Sequence, residues 1–241
     1  MDGCRENRER RYKYVTEELT DIKDNLASFD KFIRDFCAQH NNELTQNEHE
    51  SIIRIAKKIL FFKYLSSGNF DKMQETYING IISDLFYLIS SILYNQKRYM
   101  QLNIRSFVEQ ILRMLTTRDN GESEQVTASV FEDFRNSFDK LYLTDDEYSL
   151  IRSVYRTACF SIHSSVYKSN DLARNIQECI TISSNRGNKI ILNNFLVILE
   201  IFIKLLIIKF PNKVNGSFHR KKSIMRILVK RDLVDLLFKL R

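Results

Sequence analysis

At 241 residues, with 44% apolar and 28% charged side chains, the chain is long enough to bury a substantial core, and this composition excludes a disordered polyelectrolyte. One proline and six glycines leave little of the chemistry that tight hairpins need, so the expected class is all-α: a bundle of about eight helices with no significant sheet. A net charge of +7 is compatible with a polyanionic partner such as RNA but does not require one.

In chain order, the start MDGCRENRERRYKY is polar and lacks the apolar stretch of a secretory signal. The first predicted helix covers about 12–40, where Tyr14, Leu19, Ile22, Leu26, Phe29, Phe32, Ile33 and Phe36 recur at three- and four-residue steps. A break at 41–44 precedes Thr45-Gln-Asn-Glu48, a capping box that opens a helix running to about Ser66. From Asp71 a helical pattern continues to about Thr117, with a division expected between Asn95 and Asn103. Its second half buries Ile104, Phe107, Val108, Ile111, Leu112 and Leu115.

The polar run 118–126 reads as a loop. Ser129-Val-Phe-Glu132 and Thr144-Asp-Asp-Glu147 read as two further capping boxes, starting helices that end near Leu141 and Ser165. A helix at about 171–183 and a turn at 184–188 come next. The very apolar segment 190–210 is as long as a membrane span, but it carries Glu200 and Lys204. A mid-bilayer charge costs on the order of 2.5–3.5 kcal/mol, and the four-residue spacing suits a helical ion pair, so a buried core helix is expected instead. Pro211 stops it, and a last amphipathic helix with a basic side is expected over 217–241. The whole reads as a single domain over 1–241, with N-terminal helices at 12–66 and a core at about 70–210.

The four cysteines (Cys4, Cys37, Cys159, Cys179) are widely spaced, as expected of reduced thiols in a cytoplasmic protein. His40 and His49 lack partners at ligand spacing, so no metal and no cofactor is expected. Phosphate-binding glycine loops, HExxH and GxSxG are missing from the sequence, which removes support for ATPase, zinc-protease and α/β-hydrolase chemistry.

The chemistry-bearing segment is TDDEYSLIRSVYRTACFSIHSS, 144–165. Arg156 and His163 are seven residues apart, roughly 20° around a helix axis and about two turns along it. Arg152 and Ser149 extend the same polar ridge, while Leu150, Ile151, Val154, Phe160 and Ile162 read as the apolar sides. An imidazole can take the proton of a ribose 2′-hydroxyl. A guanidinium can hold the phosphate and its developing charge. Such a pair cleaves RNA without metal and leaves a 2′,3′-cyclic phosphate.

This segment resembles the HEPN superfamily (higher eukaryotes and prokaryotes nucleotide-binding), helical bundles with an Arg-x(4–6)-His motif on a late helix. Arg156-TACFSI-His163 fits at the long limit, with Tyr155 eight residues before the histidine and Ser164 after it. The upstream IRSFVEQILRML is similar to the superfamily's Arg-Ser-x-x-Glu stretch, mapped to Arg105, Ser106 and Glu109, with Arg113 one turn on. The two segments span about 95–167. One departure is Ser165, where the toxin branch paired with nucleotidyltransferase antitoxins carries a tyrosine.

The resemblance implies a metal-independent endoribonuclease of toxin or antiviral-defence type. RNA would be its substrate, a homodimer its active form, and an antitoxin or defence-system protein its partner. Within it His163 is the general base or acid, Arg156 the phosphate ligand, Arg152 a second phosphate contact, and Arg105 and Glu109 supporting residues. The residues themselves leave a second reading open: a non-catalytic helical adaptor that binds protein or nucleic acid through the basic C-terminal helix. They also allow Arg105 and Glu109 to be a plain i, i+4 ion pair on an exposed face.

Overall fold

The computed structural model describes residues 2–116, 128–163 and 188–240, with side chains described over 16–116, 128–160 and 188–240. Among these residues there are ten helices and no strand, an all-α bundle as expected. They are α1 (Asp2–Gln39), α2 (Gln46–Ser66), α3 (Lys72–Leu93), α4 (Lys97–Thr116), α5 (Ala128–Asn136), α6 (Asp145–His163), α7 (Lys189–Lys209), α8 (Pro211–Ser217), α9 (Lys222–Leu228) and α10 (Arg231–Lys239). The loop expected at 118–126 and the helix expected at 171–183 lie outside the described residues.

The helix starts follow local chemistry. Thr45 and Glu48 form the expected capping box, each satisfying the other's backbone amide. Asp71 and Gln74 do the same for α3. Thr144 and Glu147 open α6 by the same exchange. For α5 the described helix begins at Ala128, one residue before Ser129. That helix also stops at Asn136 rather than near Leu141. Buried Phe138 and Leu143 anchor a turn closed by Tyr142 and Leu143 amides on the Asp139 carbonyl, which leaves Leu141 82% exposed. The expected division after Asn95 is present, with Asn95 itself in the left-handed region at φ 50°.

Two expectations are corrected by tertiary packing. The C-terminal segment is not one helix over 217–241 but α9 and α10, separated by extended Val229. Ile224, Met225 and Leu228 lie on one stripe, and Leu233, Val234 and Leu237 on another. The five-residue step from Leu228 to Leu233 turns about 140° around a straight helix, so only a break lets both stripes reach the core, where all six are buried. Glu200 and Lys204 do not pair with each other either. Glu200 takes Lys58 of α2 at 2.9 Å, and Lys204 takes Glu147 of α6 at 2.6 Å.

These pairs follow from the place of α7. By length and composition α3 and α7 could each cross a membrane, but 61% of the most apolar stretch of α7 is buried within the fold, against α2, α4, α6 and α10. Phe195 and Phe202 meet Phe107 of α4 at ring-centroid distances of 5.2 and 6.0 Å. At its start, buried Asn188 donates to Glu48 Oε1 at 2.8 Å and to Asn95 Oδ1 at 3.0 Å. One side chain thereby ties the first turn of α2 and the α3–α4 connection to α7.

Lys58 is buried, and burial pushes its ammonium pKa below the ordinary range despite Glu200. Its ammonium also donates to the Leu228 carbonyl at 3.0 Å, fixing the end of α9. Lys58→Met should therefore cost about 3–5 kcal/mol in urea unfolding, because Glu200 is left charged and alone. Adding Glu200→Leu to it should recover most of that loss.

Candidate functional site

The site is built on α4 and α6, which run antiparallel. Two observations fix the register: the Tyr155 hydroxyl donates to Glu109 Oε1 at 2.9 Å, and Arg105, one turn earlier on α4, faces Tyr155 and Cys159. The amino end of α6 is held by the Glu147–Lys204 pair. Arg135 of α5 contributes by donating to the Leu143 carbonyl at 2.9 Å and to the Asp145 carboxylate. Tyr155 is buried at 9% exposure, with its ring 5.1 Å from that of Phe131.

Arg105 and Glu109 do come together, with Nε 2.8 Å from Oε1. The pair is not a plain exposed i, i+4 bridge. Both side chains are mostly covered, and Tyr155 from α6 shares the same carboxylate oxygen. Burial first, and then the bond to Glu109, push the Tyr155 hydroxyl pKa upward, so it stays a donor. The bond to Glu109 in turn raises the Arg105 pKa, holding its charge more firmly.

A third helix joins through Asp84 of α3, a residue that the sequence did not single out. It is mostly buried beside Ser106 and Glu109, and its Oδ2 has no hydrogen-bond partner. Burial pushes its carboxyl up to about 6; the nearby Glu109 charge adds to this, and the bond from Ser106 opposes it. The available signal was faint: a lone aspartate in the apolar stretch IISDLFYLI.

The outward side of α6 is different in kind. Ser149, Arg152 and Arg156 are exposed, as the ridge reading expects. Neither arginine makes a hydrogen bond or ion pair among the described residues, and α6 carries no carboxylate after Glu147. Phe160 is not on an apolar side with Ile151 and Val154; it is 73% exposed, one turn beyond Arg156. His163 is the last residue of α6, and its side chain lies outside those described. The antiparallel register places its backbone level with about Gln101 of α4.

No cluster of three or more metal-ligating side chains occurs among the described residues. His40 stacks on Phe36 at 4.2 Å between centroids, and His49 Nε2 lies 2.7 Å from Asp30 Oδ1. Neither Cys37 nor Cys159 is in a disulfide.

Because Asp84 holds its proton to about pH 6 when folded, against 3.8 as the ordinary value, the folded chain binds more protons than the unfolded one between those limits. Stability should fall as pH rises through that window. Asp84→Asn should remove the fall and leave the variant more stable at pH 7 by on the order of 1 kcal/mol, once screening of this partly exposed group is allowed for. Urea midpoints at pH 4, 5, 6 and 7 check this. Tyr155→Phe should cost about 1–2 kcal/mol by the same measurement, through the lost bond to Glu109.

Compared with protein-family models, characterised proteins and solved structures, the chain finds no match, and the site is read from its own residues.

Proposed function

We propose that the protein is a HEPN-like, metal-independent endoribonuclease, of toxin or phage-defence type, that cleaves RNA by attack of the ribose 2′-hydroxyl. The observation that supports this reading is the state of Arg156. Its guanidinium is exposed and engages no carboxylate among the described residues, on the same helix as His163 and seven residues before it. An arginine with a purely structural role would be expected to hold a partner, as Arg105 and Arg135 do. In the proposed reaction His163 takes the 2′-hydroxyl proton as the 2′-oxygen bonds to phosphorus, the P–O5′ bond breaks with water protonating the departing 5′-oxygen, and Arg156 stabilises charge on the phosphoryl oxygens. Arg152 holds a neighbouring phosphate. The supporting role of Arg105 and Glu109 is to brace α6 through Tyr155 rather than to touch RNA. A homodimer that joins two such faces belongs to the same proposal.

The adaptor reading keeps one specific observation in its favour: Arg226 and Lys230 on the C-terminal side are exposed and make no ion pair among the described residues. Other cations of that segment are engaged in docking it. Lys221 pairs with Glu18 at 2.7 Å, and Lys222 sits 3.4 Å from the Phe238 ring centre.

Wild type, His163→Ala and Arg156→Ala should be compared on total cellular RNA in EDTA, with end-group analysis of the fragments. The expected result is cleavage that leaves cyclic phosphates, reduced on the order of 10²–10⁴-fold by His163→Ala and 10²–10³-fold by Arg156→Ala. Cleavage undiminished in both folded variants would remove this site and put the adaptor reading ahead.

A further inference from the structure

A groove of about 380 Å³ lies on α7, walled by α2, α6 and α10. Its floor is apolar: Leu196, Val197 and Ile201 of α7, joined by Leu150 of α6 and Leu233 of α10. Val197 is 47% exposed although its neighbours Leu196 and Ile198 are buried, so the floor is open at that point. The charges in the walls divide into three kinds. Glu200 and Lys204 are answered, by Lys58 and by Glu147. Asp146 and Asp232 are first-turn residues of α6 and α10, where the helix dipole favours a carboxylate. Arg54 and Lys230 are neither.

Arg54 is exposed in the middle of α2, and Lys230 is exposed at the residue that opens α10. A cation there opposes the helix dipole, and the Lys230 side chain caps no amide. Neither side chain makes a hydrogen bond or ion pair among the described residues, although Asp146 and Asp232 line the same groove. Both cations reach the Lys58–Glu200 pair beside the groove: burial lowers the Lys58 pKa first, Glu200 opposes this, and the charges of Arg54 and Lys230 lower it further. Two positive charges thus stand close to a third, and the one carboxylate at hand is taken by Lys58. An anion against Arg54 and Lys230 would relieve that repulsion, and an apolar body attached to it would cover Val197. A volume of about 380 Å³ is at the small end for ligand pockets, so it suits a compact molecule rather than a helix or a nucleic-acid strand.

We infer that this groove binds a compact amphipathic organic anion, its charged head against Arg54 and Lys230 and its apolar body on Leu196, Val197 and Ile201. The head is a carboxylate or a phosphate monoester, which share the chemistry that two cations recognise. The inference does not rest on the ribonuclease proposal, since neither Arg152 nor Arg156 lines the groove.

The test is calorimetric titration of the full chain with octanoate, octyl phosphate, octanamide and inorganic phosphate. At least one octyl anion should bind saturably at a single site, and the tighter of the two identifies the head group. Octanamide, which lacks the charge, and inorganic phosphate, which cannot cover the floor, should each bind on the order of 10-fold more weakly or not at all. Arg54→Ala and Lys230→Ala should each weaken binding of the octyl anion roughly 5- to 50-fold. Both residues are exposed and unpaired among the described residues, so the variants should fold as wild type does. Lys72→Ala removes the same charge from an exposed position outside the groove and should leave the affinity unchanged. The bound anion should also raise the urea midpoint of wild type, and raise it less in the Arg54→Ala, Lys230→Ala double variant. No saturable binding of either octyl anion by wild type, equal binding of octanamide, or undiminished affinity in the double variant would each overturn the inference. Failure to cleave RNA would sink only the ribonuclease proposal.

Discussion

Covering α7 is the constraint from which the remaining geometry follows. A helix in which Leu196, Ile198, Ile201, Phe202, Ile203 and Ile207 are all buried has apolar surface around most of its circumference, so it must be surrounded rather than docked on one side. Its neighbours α2, α4, α6 and α10 are placed by that need. The charged positions that interrupt it then become directional. Glu200 can be buried only beside a cation, which draws Lys58 of α2 inward. Lys204 reaches Glu147 and so determines where α6 begins. Asn188, at the foot of α7, gathers the first turn of α2 and the α3–α4 connection through Glu48 and Asn95.

That framework explains why α6 has two unlike sides. Its inner side is held at two levels: by Lys204 at the start, and in the middle at Tyr155, which packs on Phe131 and shares the Glu109 carboxylate with Arg105. A helix fixed in rotation by buried contacts presents its outer residues in a fixed direction. Arg152 and Arg156 are therefore held in place although neither makes an ion pair among the described residues, and preorganisation of this kind is what binding and electrostatic catalysis draw upon.

Asp84 adds a negative group to the base of the same arrangement. Two carboxylates, Asp84 and Glu109, lie near one another between α3, α4 and α6, and among the described residues only Glu109 has cationic partners: Arg105 at 2.8 Å and Arg113 at 4.0 Å. Charging Asp84 in that setting weakens the α3–α4 contact as pH rises toward neutrality, and its protonation in mild acid relieves it. At Gly80 of α3 a β-carbon would sit 2.9 Å from the end of the Gln110 side chain of α4, which would have to turn aside.

What the sequence alone determined was local. The helices α2, α3, α4 and α6 were legible because capping boxes and apolar periodicity depend on residues three or four apart, and Thr45–Glu48 and Thr144–Glu147 carry their partners within one turn. The ridge of Ser149, Arg152 and Arg156 was legible for the same reason, since helical angle follows from residue number. Tertiary structure decided everything that required a partner from afar. Glu200 and Lys204 stand at pairing distance in sequence, yet stronger, better-buried partners on other helices take both. The C-terminal helix breaks at Val229 because two apolar stripes must reach one core, and Asp84 matters only because α4 brings Ser106 and Glu109 to it. Phe160 reads as apolar core by type and turns outward by packing: Tyr155 and Ala158 take the inner positions of α6, and a helix rotated to bury them cannot bury Phe160 as well.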